Sequence, residues 1–118
     1  MCVKSSTLPT SRTHDECESA DAALVRAFNL LGKRWTGVVL GTLRGGPAGF
    51  RALARAIDGI SDSVLSDRLG ELADASLVSR TVREGPPVSV TYALTDAGRA
   101  LLPALEQITR WAEKHLPE

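Results

Sequence analysis

The segment SDSVLSDR, residues 61–68, puts three hydroxyls, two carboxylates and one guanidinium within eight positions. Serine hydroxyls are short and can hydrogen-bond phosphate oxygens or base edges. Arginine pairs with phosphate or guanine, and aspartate accepts from the amino group of cytosine. Leu65, Leu69 and Leu72 recur at helical spacing through the same stretch. A helix capped by Ser61, with Asp62 in its first turn, buries those leucines and turns Ser63, Ser66, Asp67, Gly70 and Asp74 outward. The same face also suits plain solvation, so its purpose depends on the elements around it.

Elsewhere the chemistry is sparse. Cys2 and Cys17 are the two thiols, too few for a disulfide framework. Cys17 has Asp15, Glu16 and Glu18 as neighbours, which oppose a thiolate, whereas a helix beginning at Ser19 favours one. It is the candidate redox residue, set against an inert thiol in a tail. His14 and Cys17 have the spacing of half a metal site, but a structural zinc site takes four ligands. No metal and no cofactor is expected. No nucleophile triad, glycine-rich phosphate loop or paired acids stand out, so no enzyme is expected.

The elements that would position residues 61–68 are legible in order. Residues 1–18 are polar, rich in Ser and Thr, and carry Pro9; they read as a flexible tail. The remainder, 19–116, reads as one domain. Ser19 or Asp21 caps a first helix reaching Leu31, with Leu24 and Phe28 on its apolar face. A second helix covers about 34–44, GGP at 45–47 is a turn, and a third helix covers about 50–57. Asp58-Gly59 then turns tightly into the helix capped by Ser61.

After Ala75 the apolar period changes from that of a helix to that of a strand. LVSRTVR (77–83) and VSVTYAL (88–94), joined by EGPP, form a half-buried β-hairpin. Thr95 caps a long last helix, about 96–115. Four helices, a hairpin and a helix, with two short helices meeting across a tight turn just before the hairpin, describe a winged helix-turn-helix. The fold class is mostly α with a small β-hairpin (α+β), with N- and C-terminal dimerisation helices. The serine-faced helix then becomes the one that enters a major groove. Arg80 and Arg83 on the hairpin come within reach of phosphate.

Formal net charge is zero, which argues against a generic polyanion binder. Residues 33–91 nevertheless hold eight basic side chains against six acidic ones, while both flanks carry one more acid than base. This is a weak basic footprint in the middle of the chain. No apolar run is long enough to span a bilayer, and the first twenty residues lack the apolar core of a secretory signal. The expectation is a cytoplasmic protein with no membrane partner.

The motifs LGKRW (31–35), GGPAGF (45–50), GISDSVLSDRLGELADASLVSR (59–80) and VTYALTDAGRALLPAL (90–105), with Trp111, together resemble the HxlR-type family of bacterial transcriptional regulators, which is related to the MarR type. The resemblance covers about residues 20 to 116. It implies a homodimeric regulator that binds double-stranded DNA at a pseudo-palindromic operator, with Ser61 to Arg68 in the recognition helix. It places Lys33 and Arg34 at the opening of the helix that carries the tryptophan, and Gly85 to Val88 at the wing tip. Three positions depart from the pattern: Gly70 replaces a basic residue, the turn before Phe50 lacks one and leaves Arg51 as the substitute, and Cys17 precedes Glu18 where relatives have Cys-Pro. Some relatives use that cysteine as a sensor, so a redox agent or a small-molecule effector is an implied partner.

A shared interface can also be argued from apolar surface alone. Leu24, Phe28, Leu101, Leu102, Leu105, Ile108 and Trp111 exceed what one small core can cover. The rival function is a winged helix that binds protein without specific DNA binding, for which the neutral charge is the clue.

Overall fold

The computed structural model describes residues 11–118, with side chains from residue 19. The expected tail lies largely outside the described residues. The chain divides into two compact units, one ending at Lys33 and the other running from Arg34 to Glu118.

The first unit contains helix α1, Ser11–Leu31. It begins ahead of the expected caps at Ser19 or Asp21. Pro9 is the last proline before it, and SRTHDECESADA contains no Gly or Pro to stop a helix. Leu24, Val25 and Phe28 on α1 are all exposed.

The second unit holds α2 (Thr36–Thr42), a single 3-10 turn (Leu43–Gly45), β1 (Ala48–Gly49), α3 (Phe50–Ala56), α4 (Asp62–Asp74), β2 (Val78–Arg83), β3 (Ser89–Leu94) and α5 (Asp96–His115). Its core is Val39, Leu40, Leu43, Leu53, Ile57, Leu65, Leu69, Leu72, Val78 and Leu94. Helix α2 is shorter than the expected 34–44. Trp35 occupies its N-cap with no side-chain bond, and Gly37, Gly41 and paired valines weaken it at both ends.

Helix α4 forms as its sequence requires. Ser61 is extended, and its hydroxyl accepts from Val64 N at 3.2 Å, which satisfies a donor the helix cannot. Leu65, Leu69 and Leu72 are each no more than 1% exposed. The turn into α4 requires φ +89° at residue 59, which glycine adopts without strain. The exit uses a Schellman pair: Ser76 N donates to Ala73 O at 3.0 Å and Leu77 N to Leu72 O at 2.9 Å. Ser76 takes the left-handed position at φ 64°, where glycine is usual.

The sheet has three strands in the order β1-β3-β2, all antiparallel. Strand β1 follows directly on the GGP turn, where the residues carry no strand signal. It is too short for any period, and only its pairing of Ala48 with Tyr92 and Gly49 with Thr91 defines it. The β2–β3 hairpin pairs Val78 with Leu94 through to Arg83 with Ser89. It is less buried than a half-covered hairpin: Val78 is buried, and every later residue of β2 is exposed. The hairpin therefore projects as a wing.

Helix α5 is seated at its start. Thr95 Oγ1 accepts from Gly98 N at 3.1 Å and donates to Ser76 O at 2.7 Å, while Thr95 N donates to Leu77 O at 3.0 Å. Its later turns are open. Leu101, Leu102 and Leu105 are half-buried, and Ile108 and Trp111 are 48% and 54% exposed.

Candidate nucleic-acid interface

The buried leucine stripe holds α4 against α2 and β2 and leaves the opposite face outward. Ser63, Ser66, Asp67, Gly70 and Asp74 are all exposed. Ser61 Oγ serves as the helix cap and lies 3.4 Å from Ser63 Oγ. Ser66 and Asp67 make no side-chain hydrogen bond or ion pair among the described residues. The face is thus narrow, short-chained and free to approach another surface.

Arg68 occupies a different environment from the one expected of a phosphate contact. Its side chain is 16% exposed and Nε lies 3.1 Å from Glu71 Oε1. Nε is fully shielded and is not aligned as a hydrogen bond; Nη2 donates to Glu71 Oε2 at 3.3 Å. A guanidinium so enclosed spends its donors on Glu71, one helical turn away. Its aliphatic stem also packs where the stripe meets the surface. Arg68→Ala is therefore expected to cost about 1–3 kcal/mol of folding stability. Urea unfolding measures this. An unchanged midpoint with weakened DNA binding would restore the phosphate role.

The cations around α4 differ in freedom. Arg51 Nη2 donates to Asp62 Oδ2 at 2.8 Å, tying the start of α3 to the start of α4. Both side chains are well exposed, so the pair orders the two helices more than it stabilises them. Its guanidinium also lies 5.3 Å over the Phe50 ring. Arg55, one turn along the same face of α3, is exposed and without a partner among the described residues. Arg55 is an added candidate beyond those expected from sequence, and its i, i+4 spacing from Arg51 is the signal that places both on one face. Arg34 lies 5.1 Å over the Trp35 ring. Lys33 is exposed and belongs to the other unit.

On the wing, Arg80 and Arg83 are both exposed and have no ion-pair partner among the described residues. They differ by an odd number of positions, so they stand on opposite faces of β2. Arg80 shares a face with buried Val78, and Arg83 shares one with Ser79 and Thr81 beside the tip. They cannot act as one cationic pair.

The expected interface residues on α5 differ in their settings. Leu102 and Leu105 line a groove of about 340 Å³ with Gly37 and Gly41, bridged at its side by Arg44 and Glu106 at 2.6 Å. Ile108 and Trp111 are exposed, and the Trp111 ring lies 5.8 Å from that of His115, tilted by 37°. Leu24 and Phe28 are exposed on α1. The side chain of Cys17, and His14 beside it, lie outside the described residues. Among the described residues no cluster of three or more His, Cys, Asp or Glu could hold a metal. Nor is any helix among them long and apolar enough to cross a membrane.

A projecting β2–β3 wing, a tight turn between two short helices and an outward polar face on the second define a winged helix-turn-helix of the kind found in transcriptional regulators. Comparison with known proteins agrees. The model of the HxlR-like helix-turn-helix family matches residues 30–118, and the chain belongs to that family. It is 40% identical over 88 residues to the HTH-type transcriptional regulator YodB of Bacillus subtilis, covering 75% of this chain and 79% of YodB. The structure of reduced YodB superposes with a TM-score of 0.73 at 37% identity, over 80% of this chain and 93% of that one. The redox regulator HypR in its reduced form gives a TM-score of 0.74 at 27% identity, over 80% and 94% of the two chains.

Proposed function

We propose that this protein is a sequence-specific DNA-binding transcriptional regulator that binds a pseudo-palindromic operator as a homodimer. The observation that carries the reading is α4: a stripe of fully buried leucines beneath a small, uncommitted polar face, flanked by an exposed wing with Arg83 at its outer end. In a helix-turn-helix such a face lies in the major groove, and a wing reaches the adjacent backbone. Arg51, Arg55, Arg80, Arg83, Lys33 and Arg34 are the phosphate candidates. Ser61, Ser63, Ser66 and Asp67 are the groove candidates.

The test is fluorescence anisotropy with the intergenic DNA beside the gene and a scrambled duplex, titrated over several salt concentrations. Tight binding to the first alone, weakening steeply with salt, is expected. Equal, weak binding to both duplexes, insensitive to salt, favours the rival reading of a protein-interaction module.

The exposed apolar residues support the dimer: Ile108 and Trp111 on α5, and Leu24, Val25 and Phe28 on α1. Trp111 is a better test than half-buried Leu105. Trp111→Asp puts a charge on an exposed ring site, so it spares the fold and should halve the mass seen by light scattering. A dimer of unchanged mass would remove α5 from the interface.

YodB and HypR are regulators studied in defined redox forms, and this lends support to a redox or small-molecule effector here. Cys17 is the thiol through which an oxidant would act. Diamide added to the DNA complex should release wild type and leave Cys17→Ser bound; equal responses would remove Cys17 from regulation.

A further inference from the structure

We infer that Asp67 reads a cytosine in the operator by accepting a hydrogen bond from its N4 amino group. This rests on the DNA-binding reading above and names the chemistry that α4 recognises.

Four observations converge on Asp67. It is exposed and has no partner among the described residues. The other acids near it are accounted for: Asp62 is held by Arg51 and Glu71 by Arg68. Its neighbour Arg68 is turned to Glu71 and enclosed, so the Asp67 carboxylate is not neutralised by the cation beside it. Finally, Gly70 lies one turn further along the same face, and nothing stands within 4 Å of where its Cβ would be. The surface around Asp67 is therefore low, and a duplex can come close to it.

An unpaired carboxylate facing a polyanion is repelled unless it meets a donor. The major groove presents two donors, the amino groups of cytosine and of adenine. In adenine the amino group stands beside N7, an acceptor that repels a carboxylate. In cytosine it stands beside a C–H. The chemistry thus favours cytosine. Position within the helix agrees, because residues of the N-terminal half of a recognition helix contact base edges. Asp74, also exposed, stands in the last turn of α4, away from that half.

The experiment is selection of bound duplexes from a randomised library, using the full chain as wild type, Asp67→Ala and Asp67→Asn. Wild type should enrich cytosine at one position of each half-site. Asp67→Ala should lose that preference, by about 5- to 150-fold at that base pair, and keep the others. Asp67→Asn should move it towards adenine. N4-methylcytosine at the selected position removes the groove-facing donor, and should weaken wild type while leaving Asp67→Ala unchanged. Identical base preferences in wild type and Asp67→Ala, with both still bound, would overturn the inference and leave the DNA-binding reading intact. A wild type that enriches no duplex would overturn both.

Discussion

Gly98→Ala should destabilise the protein by about 3 kcal/mol or more, lowering the thermal midpoint by roughly 10–20 °C. A Cβ at residue 98 would stand 2.2 Å from Leu77 O and 3.2 Å from Leu94 Cδ2. The first contact is with backbone, so no side-chain rotation relieves it. Relief requires the start of α5 to move away from the turn that follows α4. That movement breaks the bonds from Thr95 N to Leu77 O and from Thr95 Oγ1 to Ser76 O. Gly70→Ala is the matching control. Position 70 is exposed, mid-helix and open, so alanine there should stabilise by about 0.5–1 kcal/mol. The same chemical change then has opposite signs at two sites. Thermal unfolding of the two variants measures this, and a Gly98→Ala midpoint within a few degrees of wild type would contradict the seating of α5.

Leu69→Ala should cost about 2–5 kcal/mol, the range for a leucine truncated in a packed core. Leu69 is 1% exposed at the middle of the stripe, with Leu65 and Leu72 on either side. The cavity would open beneath the outward face of α4, so specific DNA binding should fall along with stability. Ser66→Ala, on the opposite side of the same helix, should change stability by less than about 0.5 kcal/mol. Urea denaturation gives both values. A loss below about 1 kcal/mol for Leu69→Ala would mean that α4 is not held by this stripe.

Much of this protein is decided by forces that act within a few residues, and these are legible in its sequence. Ser61 and Thr95 cap their helices with bonds to Val64 N and Gly98 N, each three residues away. The leucines of α4 declare themselves by spacing alone, because a helical face repeats every three or four positions. The change of period after Ala75 and the turn residues that follow placed the hairpin, and the order of elements placed the wing. The outward face of Ser63, Ser66 and Asp67 follows from the same periodicity.

Other features were decided only by the tertiary structure. The i, i+3 spacing of Arg68 and Glu71 was visible, but how deeply their ion pair lies depends on what packs over it. Asp62 finds Arg51 across the helix-turn-helix. Strand β1 exists because β3 lies beside it, more than forty residues later in the chain. Gly98 looks like an unfavourable residue in the first turn of a helix until Leu77 O is seen against it. Local bonds depend on sequence neighbours, whereas depth, ion-pair partners and close backbone approach depend on which distant segments meet. Residue types therefore specified the helices and their polar face, and packing selected which of those polar groups stay free to recognise a partner.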